Sequence, residues 1–110
     1  MKDELAMTAF QEYQIRRHYD EHEEKWYFSV IDVVGALSDS VNPRDYWFRM
    51  KKRVQLDDGF ELSTICRQLK MKAPDGKLRE TDCSDVQGLL RIIQSIPSPK
   101  AEPFKHWLAK

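Results

Sequence analysis

The chain contains no stretch approaching the ~18 consecutive apolar residues of a membrane span. Its start, Met1-Lys2-Asp3-Glu4, lacks the apolar run and small-residue cleavage site of a signal peptide. These absences predict a protein that stays in the cytoplasm, where thiols remain reduced. Cysteine is scarce as well, with two residues and no CxxC, so Cys66 and Cys83 are read as small buried hydrophobes rather than a bridge, redox pair or thiolate metal site. Glycine numbers four, too scattered for a phosphate-cradling loop. Net charge is zero, with 18 Lys and Arg against 18 Asp and Glu, which removes the strong charge imbalance of disordered chains.

Catalytic patterns are equally thin. Neither cysteine has a histidine nearby in sequence, and no GxSxG elbow occurs. The carboxylate pairs Glu23-Glu24 and Asp57-Asp58 fall in polar linkers and read as solvating charge. His18-Tyr19-Asp20-Glu21-His22 matches the HxxEH spacing of inverted zinc peptidases, but that chemistry needs both histidines on one helical face plus a third ligand. Here the motif fills a polar link between two expected strands, so a solvated loop is the reading. The expectation is a protein that is not an enzyme and has neither a metal site nor a cofactor.

What the chain does have is aromatic residues, namely three Trp, four Tyr and five Phe in 110 residues, enough to build one core without staples. It also has hidden charge segregation. Residues 44–79 hold ten Lys and Arg against five Asp and Glu, leaving eight against thirteen for the rest. A basic centre between acidic ends gives a neutral protein a positive patch, the footprint of a polyanion partner.

Periodicity gives a small single α+β domain, residues 9–110, behind an N-terminal tail, residues 1–8. Residues 9–17 and the run Trp26-Tyr27-Phe28 suit a β-hairpin joined by the polar link His18 to Glu24. Ser29 then caps a helix whose Val30, Val33, Val34 and Leu37 form a stripe, with Asp32 in its first turn. Asn42-Pro43 starts a second helix over Arg44 to Val54. At 100° per residue its Tyr46, Trp47, Met50 and Val54 turn inward, while Arg44, Arg49, Lys51 and Lys52 surround Phe48, with Arg53 at the border.

After a linker, Gln55 to Glu61, the segments Leu62 to Lys72 and Lys77 to Cys83 flank Ala73-Pro74-Asp75-Gly76, a type I turn with a left-handed glycine bulge. If Ala73 pairs with Lys77, Lys70 faces Glu80 and Gln68 faces Asp82. Ile65, Leu69, Met71, Thr81 and Cys83 then share the other face, and Lys70, Lys72, Lys77 and Arg79 crowd the tip. Ser84 with Gln87 forms a capping box before the stripe Val86, Leu89, Leu90 and Ile93, which Pro97 stops. Ser98-Pro99 opens a last helix with Ala101, Phe104, Trp107 and Leu108 inward and Lys100 and Lys105 outward. It is still in phase at Lys110, which suggests a fragment of a longer protein.

In this order the segments become familiar. Trp26-Tyr27-Phe28-Ser29-Val30-Ile31-Asp32-Val33-Val34-Gly35-Ala36-Leu37 resembles the core of Bro-N domains, the N-terminal domains of baculovirus Bro proteins and many phage antirepressors. Phe10 to Arg16 is similar to that family's first-strand pattern, and Gly88-Leu89-Leu90-Arg91 through Trp107-Leu108 to its finish. Asp39-Ser40, Pro43 to Trp47 and Gln94 to Lys105 look close to the bacterial branch containing DNA-damage-inducible protein D. The resemblance implies an α+β DNA-binding domain in which Trp26, Phe28 and Trp107 pack, and Asp32 either caps its helix or orients an arginine.

Two functions are therefore expected as alternatives. The first is DNA binding through Arg44, Phe48, Arg49, Lys51, Lys52 and Arg53 on the basic helix and Lys70, Lys72, Lys77 and Arg79 on the hairpin, with duplex favoured over single-stranded DNA. The second is a protein-interaction module for a repressor or a recombination protein, with Phe48 and the acidic ends as contacts. A homodimer suits a palindromic site, although no self-complementary patch stands out in the pattern.

Overall fold

The computed structural model describes residues 5–109, with side chains from Thr8 onward. Along the chain run β1 (Leu5–Phe10), β2 (Tyr13–Asp20), β3 (Lys25–Ser29), α1 (Val30–Ser38), α2 (Pro43–Asp58), a 3-10 turn (Leu62–Ile65), β4 (Arg67–Lys72), β5 (Leu78–Ser84), α3 (Val86–Ile93) and α4 (Ala101–Leu108). The strands form one antiparallel sheet in the order β1-β2-β3-β5-β4, so the fold is α+β.

Strand β1 takes in Leu5–Thr8 of the segment read as a tail, pairing with β2 from Leu5 opposite His18 to Phe10 opposite Tyr13, while residues 1–4 of that segment lie outside the described residues. The turn between them, Gln11-Glu12, carries none of the glycine or Asn-Gly chemistry that marks hairpins, yet Gln11 adopts φ 56°. The polar link shrinks too, since β2 runs on to Asp20 and pairs with β3 from Arg17 opposite Phe28 to Asp20 opposite Lys25. Asp20 Oδ1 accepts from the backbone N–H groups of His22 and Glu23 and shapes this turn. His18 thus lies on a strand and His22 in a turn, not one helical turn apart.

Ser29 caps α1 as expected, accepting from the Asp32 N–H at 3.3 Å. Asp32 does not complete a capping box; its carboxylate receives Arg16 from β2, so the arginine-orienting alternative prevails. The interior helix is α1, where Val30, Val33, Val34, Gly35, Ala36 and Leu37 are all buried. In α3 the inward stripe is Leu89, Ile92 and Ile93, whereas Val86 and Leu90 face outward. Its cap is Asp85 rather than Ser84: Asp85 Oδ1 accepts from the Gly88 N–H, and the Ser84 hydroxyl donates to the Ile65 carbonyl. Around α1 the core gathers Phe10, Ile15, Phe28, Trp47, Met50 and Phe104, with Trp107 packed against it.

Helix α2 extends one turn past Val54, because nothing in Gln55-Leu56-Asp57-Asp58 breaks it before Gly59 closes it at φ 71°. The segment Leu62–Ile65 is a 3-10 turn, not strand, and β4 starts at Arg67. From there the hairpin follows the expected register, with Lys70 opposite Glu80, Gln68 opposite Asp82 and Ala73 bonded to Lys77, and Gly76 at φ 87°. Met71, Cys83 and Tyr27 make a second small core that includes Leu69. Lys100 was expected outward; its Nζ instead reaches back to Asp39 and the Ala36 carbonyl at the end of α1.

Candidate nucleic-acid interface

The basic helix stands where it does because Trp47, Met50 and Val54 are buried on its inner side, leaving Arg44, Phe48 and Lys52 at i, i+4 and i+8 as one outward row. Phe48 is 53% exposed, which leaves a large ring in water, and the Lys52 ammonium sits 4.7 Å from its centroid.

A single carboxylate holds this helix to the hairpin. Asp82 of β5 accepts from the Trp47 indole Nε1 at 2.8 Å and from Lys51 Nζ at 3.5 Å, and it also accepts from Gln68 Nε2 of β4. The result is a groove of about 200 Å³ with Arg44, Phe48 and Lys51 along one wall and Gln68 and Glu80 along the other. A second groove of about 390 Å³, lined by Lys52, Leu56 and Glu61, shares Phe48 and Lys51 with the first.

The expected contact residues divide into three sets. Arg44, Lys52, Lys70, Lys72 and Lys77 form no ion pair among the described residues. Lys70 and Lys72 alternate with Met71 and so share the Gln68 side of the hairpin, continuing the groove wall toward the tip. Arg49 and Arg79 are exposed but paired within their own elements, with Asp45 at 2.9 Å and Asp75 at 2.5 Å. The bond from Arg79 is the main reason the Asp75 carboxyl lies below the usual carboxylate range. Lys51 and Arg53 are engaged elsewhere, Lys51 with Asp82 and Arg53 Nη2 with the Ser95 carbonyl at 2.8 Å.

Arg79 stands opposite Met71, hence on the other side of the hairpin from Lys70 and Lys72. Sequence reasoning passed over Gln68, Glu80 and Asp82 as site residues. The signal was available, since the hairpin register already placed all three beside Lys70 on one face. The link from Trp47 to Asp82 had no local signal, because the partners are 35 residues apart.

Chemically the site offers charge and shape. Arg44 and Lys52 on α2 and Lys70 and Lys72 on β4, none ion-paired among the described residues, can neutralise phosphates, and the exposed ring can lie against a sugar, a thymine methyl or a base. Lys77 lies in the hairpin turn on the side of Arg79. Nearby, burial pushes the Cys66 thiol up to about 12, and that of Cys83 likewise to about 12, so neither is a thiolate at neutral pH. No group of three or more His, Cys, Asp and Glu among the described residues is placed to hold a metal ion, and no helix is long and apolar enough to cross a membrane.

The fold and this face define a small α+β domain that presents a basic helix and a basic hairpin side by side. The chain belongs to the BRO family: the model of that family's N-terminal domain matches residues 14–110. No match to this chain was found among curated proteins or among solved structures.

Proposed function

We propose that this BRO-family domain binds DNA, laying the Arg44-Phe48-Lys52 row and the Lys70-Lys72 strand against one stretch of the nucleic acid. Binding rather than catalysis is its role, in the cytoplasm, within a regulator of the phage-antirepressor type. The family is associated with such DNA-binding regulators, which supports the reading. The observation that carries it is the set of cations without carboxylate partners among the described residues, on two elements that Asp82 ties together. Duplex DNA suits a helix and a ribbon standing side by side, the two element types that fit a major groove. The likeness of Gln94 to Lys105 to the damage-inducible branch supports a role in the response to DNA damage. A homodimer would present two such faces to a palindromic site.

Fluorescence anisotropy with random duplex and single-stranded DNA across a salt series tests this. Affinity is expected to fall with salt, each phosphate contact adding roughly 0.9 to the slope of log K against log salt for duplex. Arg44→Glu with Lys52→Glu should abolish binding while the domain stays folded. Arg53→Gln should change it little, since Arg53 is engaged with the Ser95 carbonyl. Undiminished affinity in the folded Arg44/Lys52 variant would exclude this face.

A second reading, a docking surface for a repressor or recombination protein, draws on the groove beside Phe48, where Leu56 is 81% exposed. Under it, capture of the partner would resist nuclease and moderate salt, and Leu56→Glu would abolish it while leaving DNA affinity intact.

A further inference from the structure

A cavity of the structure shares no lining residue with the grooves beside Phe48. It measures about 640 Å³ and lies among Arg17, Trp26, Phe28, Asp85 and Trp107. Its origin is topological. Arg17 faces the helix-covered side of the sheet, two positions on from the core residue Ile15 and directly across from Phe28. Ile15 is fully covered, whereas Arg17 is only partly buried and lines the cavity together with Phe28 and Trp107. The two rings stand 6.3 Å apart, edge to face.

Arg17 and Arg44 are the two arginines with no acidic or carbonyl partner among the described residues, and of the two only Arg17 lines this cavity. Arg16, Arg49, Arg67, Arg79 and Arg91 each hold a carboxylate, and Arg53 a carbonyl. The Arg17 guanidinium lies 4.0 Å from the Trp26 ring and makes no ion pair, and its Nε is sealed from water without a hydrogen-bond partner among the described residues. A buried N–H with no acceptor is costly, and a guanidinium held against an indole keeps its donors free for a carboxylate. The second cation at the cavity, Lys25, is spent on Asp85 at 3.1 Å.

This charge arrangement selects the ligand. With Lys25 and Asp85 neutralising each other, one free guanidinium remains, enough to match a single negative group but not a run of phosphates. The aromatic floor asks that this group be attached to a bulky apolar body. We propose that the cavity is a docking site for a segment of a partner protein that seats an apolar side chain against Trp26, Phe28 and Trp107 and an adjacent Asp or Glu carboxylate on Arg17. The site is independent of the DNA-binding reading, because it uses neither α2 nor the β4–β5 hairpin.

The three tryptophans make a direct test. Trp26 and Trp107 line the cavity, whereas the Trp47 indole is bonded to Asp82 under the basic helix. The indole N–H signals of the ¹⁵N-labelled domain would be followed on titration with a blocked Gly-Ser-Phe-Glu-Gly-Ser peptide, its Phe-Gln and Ala-Glu counterparts, and an oligothymidylate. Saturable movement of Trp26 and Trp107 with the Phe-Glu peptide is expected, with Trp47 unmoved. Affinity should fall about tenfold for the Phe-Gln peptide, and by a similar factor for Phe-Glu on Arg17→Met, consistent with loss of one charge-assisted bond. The Phe-Gln comparison uses the unaltered domain and holds even if Arg17→Met unfolds. Three outcomes would overturn the proposal: no saturable shift, equal binding of Phe-Glu and Phe-Gln, or movement of Trp26 and Trp107 by the oligothymidylate alone.

Discussion

Arg16 grips Asp32 with three donors: its side chain reaches the two carboxylate oxygens through Nε at 2.8 Å and Nη2 at 3.0 Å, and its own backbone N–H adds a third bond at 2.9 Å. The same guanidinium donates to the Ser29 hydroxyl and to the Lys72 carbonyl. One side chain therefore ties strand β2 to the first turn of α1 and to the end of β4. The two side chains are 18% and 17% exposed, so the pair is only partly screened by water. Arg16→Met should destabilise the domain by roughly 2–4 kcal/mol, because it strands a half-buried carboxylate and frees two further acceptors. Urea unfolding measures this, and a loss under about 0.5 kcal/mol would show that the clamp is dispensable.

How far the sequence discloses this architecture depends on the range of the signal. Ser29 before its valine stripe, Asn42-Pro43, and Pro74-Asp75-Gly76 are local, and each delivered its element, including the full register of the β4–β5 hairpin. Strand β1 was hidden because Gln11-Glu12 is an unmarked turn and Leu5 to Phe10 alternates weakly. The cap of α3 went to Asp85 because Ser84 is engaged with Ile65, a contact that only the fold supplies. In the basic face, the row Arg44-Phe48-Lys52 was legible from helical spacing alone. The removal of Lys51 and Arg53 into contacts with Asp82 and Ser95 was not, because those partners lie 31 and 42 residues away.

Gly88 illustrates such a long-range constraint. A Cβ placed there would stand 1.9 Å from Ser84 Oγ and 3.1 Å from the Ile65 carbonyl oxygen, the two groups that are hydrogen-bonded to each other. Gly88→Ala must therefore displace the hydroxyl and strip the carbonyl of its donor, at a cost of roughly 2–4 kcal/mol. Ser84→Ala removes the same bond without the clash. The double variant should consequently cost clearly less than the sum of the two singles, and strict additivity in thermal or urea unfolding would refute the shared cause.

Asp39 closes α1 in the left-handed region at φ 57°, and Lys100 and the Tyr13 hydroxyl converge on its carboxylate. The hydrogen bond from Lys100 is the main cause holding Asp39 below its ordinary value of 3.8, and the same bond raises Lys100 above 10.5. A depressed carboxyl contributes stability above its unfolded value and loses it as pH falls through the folded one. A raised ammonium contributes below its unfolded value and loses it as pH rises through the folded one. The contact thus stabilises most between about pH 4 and pH 10. Lys100→Met should lower the urea midpoint across that plateau, and the gap from wild type should narrow toward pH 3. A gap that stays constant into acid would mean that packing, not charge, joins α4 to α1.

Asp82 gives the sharpest test of whether the two basic elements act together. Counting charge alone, Asp82→Ala removes a negative group from the groove and releases Lys51, so DNA should bind more tightly. Counting geometry, it removes the one acceptor shared by Trp47, Lys51 and Gln68, and leaves the α2 row and the Lys70-Lys72 strand free to shift against each other. Prealigned contacts lose less freedom on binding, and charge-assisted bonds of this kind contribute about 1.5–3 kcal/mol each to holding such alignment. Weaker duplex binding is therefore expected for the folded Asp82→Ala variant at moderate salt, with Asp82→Asn in between because an amide oxygen still accepts from Trp47. Tighter binding by Asp82→Ala, measured by anisotropy alongside a stability control, would mean that helix and hairpin contact DNA independently and that Asp82 serves the core alone.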